Sequence, residues 1–149
     1  MGYAYRSVLI GRVFVIRWFM TPEPIDMKNV AKEIVARREA AGQQLIHFAI
    51  IPSDVGAPTS DSRKEMGRLN GLWTQHCDAV HCVISGSGFK HAILRSVVSA
   101  VALALQKRGF VTIHRSIEDA FRALGRIPGL EVTSIRTQLT KLGMLADVP

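Results

Sequence analysis

Apolar positions change period several times along the chain, and each change marks a new element. The first run, "YRSVLIGRVFVIRWF" from Tyr5 to Phe19, is rich in β-branched and aromatic residues, with Gly11 inside it. It predicts one bent strand or a short hairpin. "TPEP" breaks that pattern, and from Asp26 the spacing becomes helical, with Met27, Val30, Ala31, Ile34 and Val35 on one stripe. Asp26 is the expected N-cap and Gly42 the expected terminator. "LIHFAII", Leu45 to Ile51, is apolar without strict alternation, as an interior strand covered on both faces should be.

"PSDVGAPTSD" is loop chemistry. A second helix is expected from Ser60 or Asp61, with Met66, Leu69, Trp73 and Cys77 on one face. "AVHCVIS" reads as a strand, "FKHAILRSVVSAVALALQKR" as a long helix and "GFVTIH" as the last strand. "SIEDAFRAL" is a short helix opened by the capping pair Ser116 and Asp119.

Strands that alternate with helices predict an α/β fold, because each crossover helix must cover a face of the sheet. The expected architecture is a central, mostly parallel sheet of four to five strands flanked by helices, occupying residues 1–125. The long helix has only a narrow polar stripe (His91, Arg95, Ser99 and Gln106), which leaves a second apolar flank for another helix or another subunit. A homodimer is an expectation on that ground. Residues 126–149 form a C-terminal extension, in which "TSIRTQLTKLGML" aligns Ile135, Leu139 and Leu142 as an amphipathic helix, docked or loose.

Composition narrows the function classes. A single domain of 149 residues buries about two-thirds of its unfolded surface, enough for a core without staples. Only Cys77 and Cys82 are present, too few for a disulfide framework, so a reduced cytoplasmic setting is expected. Arg12 and Arg17 interrupt the N-terminal apolar run, which argues against a signal peptide. The greasiest stretch, "AILRSVVSAVALAL", is too short to cross a bilayer and contains Arg95. The formal charge of +7 favours anionic partners, yet the basic residues are scattered and pair only at Arg37-Arg38, Arg63-Lys64 and Lys107-Arg108. A solvated surface is the first reading, and nucleic acid is not an expected partner.

Three stretches invite chemistry. "SGSGFKH" follows a strand and opens a helix, the layout that holds phosphates. The spacing fits neither a Walker loop nor a dinucleotide fingerprint. A general anion site at Ser85, Gly86, Ser87, Gly88 and Lys90 survives beside the plain reading of a turn. "HCDAVHC" gathers His76, Cys77, His81 and Cys82, but strand alternation keeps them from converging on one ion. Buried thiols are the default there. "TSDSRKE" places Ser60 and Ser62 where a helix begins, which suits capping and also suits phosphorylation beside Arg63 and Lys64. Phe14, Trp18, Phe19 and Phe48 belong to core strands before any base-stacking platform. No nucleophile, base and orienting group assemble, so neither an enzyme nor a cofactor is expected.

A first β segment, a one-faced helix, the interior strand "LIHFAII", a polar loop and a helix opened by serines follow in order. A strand, a helix, "GFVTIH" and the ending "SIEDAFRAL" complete the series. Over residues 5–125 this layout resembles the STAS-like domains, named for sulfate transporters and anti-sigma-factor antagonists, in their stand-alone bacterial form. In the antagonists a switch serine lies in an Asp-Ser-x-Gly turn. Asp61-Ser62 falls in the corresponding region, with Arg63-Lys64 in place of the glycine turn. The resemblance implies a non-catalytic regulatory or scaffold domain that binds another protein or its own copy, with Ser62 the first residue to test. The competing expectation is a small-ligand or anion-binding domain using the Ser85–Lys90 turn.

Overall fold

The computed structural model describes residues 4–52, 54–86, 89–104, 107–146 and 148, and residues 89–91, 101 and 104 by their backbone only. The elements run β1 (Tyr5–Ile10), β2 (Val13–Trp18), α1 (Pro24–Ala41), β3 (Leu45–Ile51), α2 (Ser60–His76) and β4 (Cys77–Ile84). They continue with α3 (Phe89–Ala104), β5 (Val111–His114), α4 (Ile117–Leu124) and α5 (Val132–Lys141). The strands form one five-stranded sheet in the order β1-β2-β3-β4-β5, parallel except for the β1–β2 pair. The chain is therefore α/β with a mostly parallel sheet, as its alternating pattern requires.

The first run is a hairpin rather than one bent strand. Gly11, at φ +59, supplies the left-handed residue of the tight turn, and Ile10 pairs with Val13 across it. From β2 onward each step moves to the next neighbour in the same direction. Right-handed crossovers then put α1, α2 and α3 on a single face. Phe14, Ile16 and Trp18 of β2 meet Met27, Val30 and Ile34 of α1, Leu69 and Trp73 of α2, and Leu94 and Val98 of α3.

The opposite face of the sheet carries the other half of each alternating strand. Val13 and Val15 of β2 and Ile46, Phe48 and Ile50 of β3 pack against α4 and α5. Phe48 meets Phe121 edge-on, with ring centroids 5.6 Å apart at 87°. Interior strands buried on both sides explain why "LIHFAII" shows no polar alternation.

The C-terminal segment is part of this second layer. Ile135, Leu139 and Met144 are buried against it. Buried Arg17 on β2 donates to the carbonyls of Met144 and Ala146, and Arg6 donates to Leu142 O at 2.8 Å. Arginines from the hairpin thereby satisfy carbonyls just beyond the end of α5. Met144, and not Leu142, completes the apolar stripe, since Leu142 is 39% exposed. After α5 the chain turns at Gly143, whose φ is +70, and this carries Met144 inward.

Two boundaries differ from expectation. Helix α1 starts at Pro24, with Asp26 in its first turn accepting from the Glu23 N–H at 2.8 Å, so Asp26 is not the N-cap. Proline at the first helical position has its φ already set and lacks a donor the helix could not use. Cys77 is not on the α2 face but is the first residue of β4, which follows α2 with no loop between. Gly42 closes α1 in the left-handed conformation as expected, with φ +67.

Candidate functional site

Strands β2, β3 and β4 are parallel, so their carboxyl ends share one edge of the molecule. The β2–α1 connection, the β3–α2 loop and the turn before α3 all leave from that edge, where ligand and docking sites of open α/β sheets form. Both serine-bearing stretches singled out in the sequence lie there.

At the start of α2, Thr59 is the N-cap, and its hydroxyl accepts from the Ser62 N–H at 3.2 Å. Ser62 is fully buried, and its hydroxyl donates to Pro22 O at 2.7 Å. The residue marked for a switch is thus a stitch between the first turn of α2 and the β2–α1 connection. Ser60, Asp61, Arg63 and Lys64 are exposed around it. A phosphate on Ser60 would meet the positive end of α2 and two cations without disturbing that stitch.

At the turn before α3, Ser85 is fully buried, and its hydroxyl has no partner among the described residues. Gly86 is exposed at φ +100, a conformation glycine adopts freely. Arg95 reaches back from α3 and donates to Ile84 O at 3.2 Å and Gly86 O at 2.6 Å. Its place six residues into the helix, with a side chain inclined toward the N-terminus, makes that reach possible. The sequence shows Arg95 only as part of a polar stripe. Ser87 and Gly88 lie outside the described residues, and Lys90 is placed by its backbone alone.

The His/Cys cluster separates: His76 ends α2, and Cys77, His81 and Cys82 fall on the two faces of β4. Cys77 and Cys82 face the α1–α2–α3 layer, and burial pushes both thiols up to about 12, so they stay protonated and unreactive. His81 points to the other face, where its Nδ1 lies 2.9 Å from Nε2 of His114 on β5. The rings stack with centroids 5.2 Å apart at 11°. Burial, and secondarily the neighbouring His114, bring His81 down to about 4. Burial also lowers His114, against the opposing pull of Asp119. A nitrogen-to-nitrogen hydrogen bond needs one donor and one acceptor, so two neutral imidazoles fit it and two imidazolium rings do not. Among the described residues no three His, Cys, Asp or Glu side chains are placed to hold a metal ion.

A cavity of about 90 Å³ lies between the sheet and the helices α1, α2 and α3. Ile16, Ala49, Leu94 and Val98 belong to its walls, and Pro22, Val55 and Gly56 line it at the carboxyl edge. Two lining side chains carry polar atoms of interest. Trp73 is 8% exposed, and its indole Nε1–H has no acceptor among the described residues. Leaving such a donor buried and unpaired costs about 1–3 kcal/mol. His47 stacks near it, with centroids 6.3 Å apart at 19°, and its Nδ1 lies 3.0 Å from Phe14 O. Because a carbonyl only accepts, Nδ1 carries the proton of this imidazole. Burial brings His47 down to about 4 despite that bond, so the ring is neutral near pH 7.

No helix among the described residues is long and apolar enough to cross a membrane. Compared with known proteins, the chain matches no family model and no curated protein sequence.

Proposed function

We propose that the chain is a STAS-like regulatory or scaffold domain that acts by docking to a protein partner through the first turn of α2 and the loop before it. The observation that supports this reading is the division of labour in that turn. Ser62 and Thr59 lock the backbone to Pro22, while Ser60, Asp61, Arg63 and Lys64 stand exposed on a rigid base. A pre-ordered polar turn loses little conformational freedom on binding, which favours recognition. In this reading Ser60 is the regulatory residue and Ser62 the structural one. A second copy of the chain is also a partner to consider, because α3 turns Ile93 and Leu103 outward at 40% and 79% exposure.

A photo-crosslinking residue at position 60, compared with one at exposed Arg122 on α4, tests the surface in extract of the native cell. Capture of a defined partner from position 60 alone, lost in Arg63→Glu/Lys64→Glu, supports the reading. Equal capture from both positions, or none, removes it. Phosphate mapping after incubation with candidate kinases and ATP tests the switch, which fails if Ser60 is never labelled.

The turn before α3 supports a second reading, an anion site. A buried Ser85 hydroxyl with no partner among the described residues and the Arg95 guanidinium flank it. Stabilisation by inorganic phosphate or nucleotides, abolished in Ser85→Ala, is the outcome that favours this reading. A flat thermal response counts against it.

A further inference from the structure

We propose that the open edge of β5, with the groove that α3 forms beside it, receives an extended acidic segment of another protein as an added strand. This surface shares no residue with the turn at the start of α2, so the docking reading does not enter the inference.

Strand β5 is last in the sheet order, and no strand pairs beyond it among the described residues. The Val80 N–H donates to Phe110 O at 2.8 Å, and this bond sets the parity of the ladder. In a parallel pair, alternate residues of a strand send both backbone groups to the same neighbour. Phe110, Thr112 and His114 therefore face β4, while Val111 and Ile113 each turn an N–H and a C=O to the open side. An extended segment completes those donors and acceptors, which is recognition by strand addition.

Side chains and charge specify the segment. Val111 and Ile113 pack toward the α3 layer, and with Ala102 and Leu103 of α3 they line a groove that Lys107 and Arg108 also border. Leu103 is 79% exposed, so the groove offers apolar contact to alternate side chains of an incoming strand. Lys107 and Arg108 stand before β5 and Arg115 after it, all exposed and none in an ion pair among the described residues. Cations at both ends repel a basic strand and attract an acidic one. They also disfavour a second copy. Antiparallel pairing of two β5 strands sets Lys107 and Arg108 of one near Arg115 of the other. In-register parallel pairing sets each cation beside its own counterpart, so like charges meet either way.

The test is a titration of the ¹⁵N-labelled full chain at low salt with three blocked peptides. Glu-Glu-Val-Thr-Val-Thr-Val-Glu-Glu is the acidic probe, and the same core flanked by glutamines or by lysines supplies the controls. The acidic peptide should bind saturably and about fivefold or more tighter than the glutamine peptide, while the lysine peptide should not bind. Amide exchange should slow at Val111 and Ile113 and stay unchanged at Thr112 and His114, whose N–H groups already face β4. Arg108→Glu/Arg115→Glu, at exposed positions outside the core, should invert the preference toward the lysine peptide. The proposal is overturned by absence of saturable binding, by equal affinity for the acidic and glutamine peptides, or by protection confined to other amides. A charge-reversed variant that keeps the wild-type preference overturns it too. So does protection of Val111 and Ile113 that rises with protein concentration alone, the signature of a second copy.

Discussion

His47 makes the stability of this domain depend on pH in a way that can be isolated. Its imidazole lies in the core between Phe14 and Trp73, and burial brings it from 6.5 to about 4. The unfolded chain therefore binds a proton that the folded chain refuses between those two values. Stability supplied by neutral His47 is complete above pH 6.5 and is lost as pH falls toward 4. Over the whole window the loss is about 3 kcal/mol, and between pH 7 and pH 5 it is about 2 kcal/mol. For a chain of this size that corresponds to a fall of roughly 4–8 °C in Tm. His81 and His114 are lowered too and add their own losses in the same direction.

The comparison that isolates His47 is wild type against His47→Gln, which stays neutral throughout. Urea denaturation followed by tryptophan fluorescence at pH 7, 6 and 5 should show the stability gap between the two proteins narrow by about 2 kcal/mol toward pH 5. The histidine pair is common to both proteins and cancels. A gap independent of pH, or a His47 ring that titrates near 6.5 by NMR, would refute the reasoning.

Three further outcomes follow from contacts described above. Ser62→Ala removes the donor to Pro22 O and should destabilise by about 1–2 kcal/mol, while Ser60→Ala should change Tm little, both by thermal denaturation. Arg17→Leu removes charged donation to the Met144 and Ala146 carbonyls. It should lower stability by about 1.5–3 kcal/mol, with faster amide exchange in residues 142–146 than elsewhere. Leu139→Ala empties a fully buried position between α5 and the sheet and should cost about 2–5 kcal/mol in denaturant titration. A much smaller loss would mean that α5 is only loosely attached.

Much of the architecture was legible because periodicity is a local property. The stripe Met27, Val30, Ile34 and the unbroken apolar run of β3 each identify an element within about ten residues. Their alternation then implies parallel crossovers. Val35, assigned to the same stripe, is 45% exposed, since α1 needs only a narrow seam against the sheet. Gly42 was readable as a terminator because only glycine adopts that φ without strain. The candidate site was less legible. "TSDSRKE" marks a helix start, but nothing in it says that Ser62 turns inward to Pro22 while Ser60 turns outward.

What the sequence determines alone is the set of elements, the covering of both sheet faces and the closeness of two serines to a helix start. All of these follow from propensity and spacing over short distances. Tertiary structure alone decides which distant groups meet. His81 reaches His114 through the register of β4 and β5, and Arg17 reaches the residues after α5 from more than a hundred positions away. Trp73 is buried where α2 packs on the sheet, with no acceptor for its indole N–H among the described residues. Register, packing volume and long-range hydrogen bonds depend on how all the elements settle together, and no local window of sequence contains that information.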